Sequence, residues 1–287
     1  MRWLVTGASG FTGLHLASLI RSRGESLATP GVEGQGADAF DLTRPDLVEA
    51  FVDRFRPDIV VHLAAIASPT HPDPSAFTRV NVEGTGHLLA ACARLPNPPR
   101  IVLASSATVY APAPGMLDES SPIGPSNAYG ASKWAMERHA GSYVGQLPLI
   151  IVRPFNYTGP GQDARFVVPK IVAAFRRRDP VLTLGALDVA RDFSDVRDVA
   201  VDYLRLSLSA PAGTVVNLCS GRPRTIRSIV ETCAHLCGWN AEIRVDPALV
   251  RPDEIPCVAG NPALLRRLTG RGHDIDLDTT LADMLAR

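Results

Sequence analysis

A doubly wound α/β fold with a parallel central sheet is predicted by three features of the sequence. Short β-branched runs alternate with amphipathic segments through the first half, those runs are apolar on both faces, and a glycine-rich turn follows the first of them. Strands apolar on both faces need helices on both sides, and an intervening helix makes neighbouring strands parallel.

Taken in order, the pattern predicts a strand over Arg2–Thr6, a helix over 13–23, a short second strand, a strand over 59–63, a helix over 81–94 and a strand over 101–105. Residues 28–39, glycine-rich and holding Pro30, read as a surface loop after the second strand. Leu95-Pro96-Asn97-Pro98-Pro99 stops the preceding helix, because proline cannot continue it. After Arg153-Pro154 the pattern changes to Gly/Pro-punctuated loops. A helix over 168–177, strands over Val181–Leu184 and 215–218, and helices over Ile226–Cys237 and 262–268 follow. The sheet is therefore expected to occupy 1–155, with 190–218 returning to it. A smaller region, mainly 156–287, is expected against the strand ends, where open α/β sheets bind ligands.

At 287 residues and 46% hydrophobic, the chain has enough apolar material for a large core. Its 29 basic and 29 acidic residues balance, so no global field draws it to nucleic acid or an anionic membrane, and an anionic ligand must be held by local charge. No uncharged apolar run approaches the roughly 20 residues a bilayer needs, and the first residues do not read as a signal peptide. A cytoplasmic enzyme is expected. The five cysteines (Cys92, Cys219, Cys233, Cys237, Cys257) lack zinc-site spacing and read as reduced core residues, so no metal is expected.

Gly7-Ala8-Ser9-Gly10-Phe11-Thr12-Gly13 lies between the first strand and the first helix. Missing side chains at Gly7, Gly10 and Gly13 allow a tight turn and close backbone approach to a pyrophosphate, with the helix N-terminus facing the anion. This predicts a Rossmann-type dinucleotide site, NADP(H) or NAD(H). The second strand is followed by Ala28-Thr29-Pro30, without the acid that would bind an NAD ribose. That absence favours NADP, with Arg21 and Arg23 as candidate phosphate partners. Asp41 and Leu42 either reach the adenine edge, or Asp41 caps the helix before Pro45; both readings stay open.

Tyr129 and Lys133, four apart in Tyr129-Gly130-Ala131-Ser132-Lys133, share one helix face. An ammonium beside a phenol lowers the phenol's pKa toward working pH, making it a competent acid or base. Ser105-Ser106-Ala107-Thr108 ends an apolar strand at the ligand-binding edge, where Ser106 can hydrogen-bond the same substrate oxygen. Together with the turn, these residues point to hydride transfer from a nicotinamide to a ketone carbon, with Tyr129 protonating its oxygen. A non-catalytic dinucleotide sensor would not require the three side chains together.

With these residues in hand, the whole chain resembles the extended short-chain dehydrogenase/reductase family acting on nucleotide sugars. The matching motifs are the glycine turn, His62-Leu63-Ala64-Ala65, Asn81-Val82-Glu83-Gly84-Thr85, Ser105-Ser106-Ala107-Thr108-Val109-Tyr110, Tyr129 with Lys133, and Arg153-Pro154-Phe155-Asn156. The resemblance implies that Ser106, Tyr129 and Lys133 are the catalytic triad, with Lys133 also holding the nicotinamide ribose. It further implies that Leu63, Ala64 and Ala65 border the cofactor, and that Asn81 faces its nicotinamide side. Dehydratases of the family carry an acid pair directly after the triad hydroxyl; Ala107 and Thr108 stand there here, which sets dehydration aside.

The second half most resembles members that reduce GDP-4-keto-6-deoxy-D-mannose to GDP-D-rhamnose. By that likeness Asn156, Arg191 and Arg251 engage the nucleotide-sugar diphosphate, Glu254 a nucleoside ribose hydroxyl, and Ser106 and Thr108 the sugar. The competing reading pairs Arg191 with Asp192 or Asp195, and Arg251 with Asp253 or Glu254, as surface salt bridges. A 4-epimerase with tightly held NAD is the alternative reaction. A homodimer through the helices near 81–94 and 128–144 is implied by resemblance.

Overall fold

The computed structural model describes residues 1–31, 39–67, 72–250 and 254–286. Six strands, β1 (Arg2–Thr6), β2 (Ser26–Ala28), β3 (Ile59–His62), β4 (Arg100–Ala104), β6 (Leu149–Pro154) and β10 (Thr214–Leu218), form one parallel sheet in the order β10-β6-β4-β3-β1-β2. The strand order reverses at β1 and β3, so the crevice beyond their carboxyl ends is the topological switch point where such sheets bind ligands. The predicted Rossmann-type doubly wound sheet is therefore observed.

Helices cover both faces. On one, α1 (Phe11–Ser22) and α6 (Val196–Ser209) pack together over a core of Trp3, Val5, Leu16, Ile20, Val152 and Tyr203. On the other, α2 (Pro45–Phe55), α3 (Thr85–Ala93) and α4 (Ala128–Gly141) enclose Leu4, Val48, Val60, Leu88, Leu103 and Met136. The helix expected over 81–94 is divided: a π-helical stretch, Phe77–Gly84, runs into α3. The Thr85 hydroxyl donates to the Asn81 carbonyl at 2.8 Å, four residues back, where side-chain bonding competes with the regular ladder.

The second half builds its own core, formed by α5 (Val167–Arg177), α7 (Ile226–Cys237) and α9 (Leu277–Leu285) with β8 (Val181–Leu184) and β9 (Ala190–Asp195). A smaller sheet runs β11-β9-β13-β5, where β11 is Pro223–Thr225, β13 is Cys257–Gly260 and β5 is Gly115–Leu117. β7 (Asn156–Thr158) pairs with β9, so the chain leaves the large sheet at Pro154 and enters the small one within two residues. β12 (Glu242–Val245) pairs with β8, and α8 (Ala263–Thr269) lies against α6 and β10. No helix among the described residues is long and apolar enough to cross a membrane.

Candidate active site

The glycine turn joins β1 to α1 at the switch point, and two of its glycines are required by contact. Gly7 has φ +71°, and a Cβ there would lie 2.6 Å from the Ala64 nitrogen, so only glycine lets the turn pack on the backbone after β3. A Cβ on Gly13 would lie 2.3 Å from the Gly7 oxygen. Gly10 caps α1 without any side-chain hydrogen bond, and no acid occupies the first turn. The N–H groups of Phe11, Thr12 and Gly13 have no intrahelical acceptor and carry the positive end of the helix dipole. The turn thus fits a dinucleotide pyrophosphate: it offers donors, positive potential and space that a side chain would fill. Tyr157 on β7 joins it from the second half, stacked on Phe11 at 6.0 Å between centroids and hydrogen-bonded to the Thr12 hydroxyl at 2.8 Å.

A buried relay fixes the wall opposite. The Ala64 N–H donates to Thr6 Oγ1 at 3.3 Å, Thr6 Oγ1 meets His62 Nδ1 at 2.7 Å, and His62 Nε2 meets Thr85 Oγ1 at 2.9 Å. Because the Thr85 hydroxyl spends its proton on the Asn81 carbonyl, it accepts from His62, which therefore carries its proton on Nε2 and accepts on Nδ1. Burial and the Lys133 charge push the His62 pKa down to about 3, so the ring is neutral. Asn81 is wholly buried. Its Oδ1 accepts from the Ile66 N–H at 2.8 Å, and its Nδ2 donates to the Ile66 carbonyl at 3.1 Å and to Ser132 Oγ at 3.0 Å. Asn81 thus sits behind the crevice, tying the 64–66 segment to α4.

Ser106, Tyr129 and Lys133 converge at the carboxyl end of β4. Asn127 caps α4 through Gly130 N–H at 2.8 Å, and a Cβ on Gly130 would come within 2.4 Å of the Thr108 oxygen. Glycine there lets the first turn of α4 touch the short 3-10 turn Ala107–Val109, which brings the Tyr129 phenol close enough to the Ser106 hydroxyl to feel it electrostatically. Lys133, buried, donates from Nζ to the Ala104 carbonyl at 2.7 Å.

One electrostatic expectation needs correction. Burial, followed by the neighbouring Tyr157, raises the Tyr129 pKa to about 12, and the group that lowers it is Ser106, not Lys133. Burial also lowers Lys133 to about 8, against an opposing pull from Glu137. Desolvation sets the direction of both shifts.

Beneath the three residues lies an ionic network that the sequence reading did not single out. Glu137, one turn after Lys133, accepts both nitrogens of a bidentate Arg153 at 3.0 and 2.6 Å, and Ser105 donates to the same carboxylate. Arg153 continues to the Tyr110 hydroxyl at 3.1 Å, which donates to Asn217 at 2.6 Å. The i,i+4 spacing from Lys133 was the available signal for Glu137.

Ahead of α2, Asp41 accepts from the Thr43 N–H and hydroxyl, both at 2.8 Å, in a local turn. The Leu42 carbonyl is held by His87 at 2.7 Å. Arg21 and Arg23 stand at the far end of α1, roughly 15 Å along a helix of this length from the turn. Since α1 runs back toward the amino ends of the strands, they cannot reach a phosphate at the carboxyl edge. The residues that do follow β2 there are Thr29, Pro30 and Gly31.

In the second half, Arg191 pairs with Glu254 rather than with Asp192 or Asp195. Its Nη1 also donates to the Ala190 and Ile255 carbonyls, both at 2.8 Å. Asp192 is turned inward, accepting from the Ser220, Gly221 and Gly260 N–H groups, and Asp195 pairs with Arg197. Asn156 is exposed beside Phe193, two residues along the strand from Arg191. Arg251 and Asp253 lie outside the described residues.

Comparison with known proteins agrees with this geometry. The chain is 34% identical over 278 residues to a GDP-6-deoxy-D-talose 4-dehydrogenase of Aggregatibacter actinomycetemcomitans, covering 95% of this chain and 92% of the relative. It is 33% identical over 297 residues to a GDP-6-deoxy-D-mannose reductase of Pseudomonas aeruginosa, covering 99% and 96%. The structure of RMD from Pseudomonas aeruginosa complexed with NADPH superposes with a TM-score of 0.89 at 30% identity, over 100% of this chain and 98% of that one. Residues 3–219 match the NAD dependent epimerase/dehydratase family. The chain therefore belongs to that family, within the extended short-chain dehydrogenases/reductases.

Proposed function

We propose that the protein reduces the 4-keto group of a nucleotide-linked 4-keto-6-deoxyhexose at the expense of NAD(P)H, converting GDP-4-keto-6-deoxy-D-mannose to GDP-D-rhamnose. The observation that carries this reading is the meeting of Ser106, Tyr129 and Lys133 beside the glycine turn, with Ala107 and Thr108 where elimination would need carboxylates. When bound, the reduced dinucleotide would supply hydride to the ketone carbon, becoming NAD(P)+ in the exchange. Tyr129 gives its proton to the ketone oxygen, so the carbonyl gains H⁻ and H⁺ and becomes an alcohol. Ser106 orients that oxygen. Lys133 spends one donor on Ala104 and keeps two for the cofactor ribose and for stabilising the phenolate left behind. The names of the two curated relatives support a GDP-linked 6-deoxyhexose acted on at C4.

Lack of a carboxylate in Ala28-Thr29-Pro30-Gly31 favours NADPH over NADH. On the substrate side, Arg191 is read as the diphosphate ligand and Glu254 as the ribose ligand, which requires their mutual pair to open. Arg251 is assigned the same phosphates by resemblance. We read the protein as a homodimer through α3 and α4; sedimentation at equilibrium tests that.

The deciding experiment mixes the purified protein with GDP-4-keto-6-deoxy-D-mannose and NADPH. Stoichiometric cofactor oxidation with a GDP-deoxyhexose product is expected, and nuclear magnetic resonance of the product's H-4 separates rhamnose from its C4 epimer, 6-deoxytalose. Catalytic interconversion of C4 epimers with no net cofactor oxidation would replace the reductase by a 4-epimerase. Tyr129→Phe is expected to lose nearly all turnover while still binding cofactor; full cofactor binding with an unchanged rate would remove Tyr129 as the acid.

A further inference from the structure

Whatever sugar is reduced, we propose that Tyr157 is a positioning residue for the cofactor: from the second half of the chain it holds the first turn of α1 in the shape that receives the dinucleotide pyrophosphate. A turn built on Gly7, Gly10 and Gly13 gains room for an anion and gives up rigidity, because glycine restricts the backbone least. Of residues 7–13, only Phe11 and Thr12 carry side chains larger than that of serine. Tyr157 engages both. Its ring lies nearly parallel to that of Phe11, at 9° and 6.0 Å between centroids, and its hydroxyl is 2.8 Å from Thr12 Oγ1.

Phe11 and Thr12 are the first two residues of α1, and their N–H groups are among those the helix leaves for an outside acceptor. Fixing the two side chains therefore fixes the direction of two donors. The edge of His15 meets the Phe11 ring at 5.7 Å, and His15 Nε2 donates to the Pro160 carbonyl at 3.2 Å. A second bond thus ties the next turn of α1 to the same segment.

Tyr157 is itself held firmly by the second half. Successive side chains of a strand point to opposite faces, so Thr158 turns to Gln162 and Met284 while Tyr157 faces α1. The Tyr157 backbone is paired with Ser194 in β9, and its carbonyl accepts from Gln162 Nε2 at 3.2 Å. Burial raises the pKa of the phenol, which keeps its proton and leaves the bond to Thr12 neutral. The affinity of the glycine turn for a dinucleotide is then a property of both halves of the chain, with Tyr157 acting through Phe11 and Thr12.

Calorimetric titration with NADPH, or with NADH if that binds more tightly, tests this without any turnover. Tyr157→Phe keeps the ring and drops the hydroxyl, and is expected to raise the cofactor Kd about threefold to fivefold, as for loss of one neutral hydrogen bond. Thr12→Val should do the same. Because both substitutions remove one shared bond, the double variant should bind no more weakly than the weaker single one. A lower urea midpoint with unchanged Kd in Tyr157→Phe would make the contact purely structural and overturn the proposal, as would additive losses in the double variant.

Steady-state kinetics supply a second arm. The KM for the cofactor should rise with its Kd while kcat at saturation stays within about twofold. A rise confined to the KM for the nucleotide sugar would place Tyr157 on the substrate and overturn the positioning role, whereas absence of turnover in the unsubstituted protein refutes the ketoreductase reading and leaves the titration to decide.

Discussion

Replacing Glu137 by Gln removes the charge that Arg153 was buried to meet. The pair is bidentate at 3.0 and 2.6 Å, and the two side chains are only 3% and 6% exposed, so water cannot take over. After the substitution Arg153 keeps the Tyr110 hydroxyl at 3.1 Å and the Tyr110 ring at 5.0 Å, neither of which neutralises it. A buried charge that loses its partner costs about 3–5 kcal/mol, whereas removing both charges together is close to neutral. Glu137→Gln and Arg153→Met should each lose about 3–5 kcal/mol in urea unfolding, mainly as a lower midpoint at unchanged slope. The double variant should be more stable than either single one. Independent sites would add to within about 0.5 kcal/mol, so a double variant that loses the sum of the two singles refutes the claim that this pair is a coupled, desolvated unit.

Other substitutions probe the rest of the site. Gly13→Ala would force a Cβ to 2.3 Å from the Gly7 oxygen, and is expected to weaken dinucleotide binding at least about tenfold by calorimetry, because the turn must open. His62, ordinarily near 6.5 and held at about 3 when folded, refuses a proton that the unfolded chain accepts between those values. Stability should therefore fall as pH drops through that window, by up to about 1.4 kcal/mol per unit, and His62→Asn should flatten the slope seen in urea melts at pH 7 and 5. Arg191→Ala, removing the diphosphate ligand proposed above, should raise the KM for the nucleotide sugar about tenfold or more with kcat nearly retained. An unchanged KM would return Arg191 to a purely structural pair with Glu254.

Much of the large sheet was readable because its signals are local. Val60 and Val61 or Ile101 to Leu103 are apolar on both faces, and a glycine turn between a strand and a helix leaves few alternatives. Tyr129 and Lys133 share a helix face, as their spacing requires. What escaped were features set by distant neighbours. Helix α6 starts at Val196 directly after β9 ends at Asp195, with no Gly or Pro between them; only Asp195, which caps it through the Arg197 N–H, marked the boundary. Pairings such as β13 with β5 bring together segments about 140 residues apart and have no local trace. Arg21 and Arg23 looked close to the cofactor in sequence, yet the helix carries them away from it. The ammonium beside Tyr129 was legible, but the burial that outweighs it was not.

The return of β10 to the large sheet has a practical corollary for anyone wishing to excise the cofactor half. A polypeptide stopped after Pro154 would expose the free edge of β6, which β10 otherwise pairs along five residues, and would strip α6 from the face that Tyr203 and Leu206 seal. Such a fragment would present an open ribbon of backbone donors and acceptors beside bare aliphatic surface, the combination that drives self-association. Domain exchange with a relative must therefore carry two separate stretches of chain at once, and single-crossover chimaeras joined near residue 155 are expected to aggregate unless the incoming second half supplies an equivalent strand and helix.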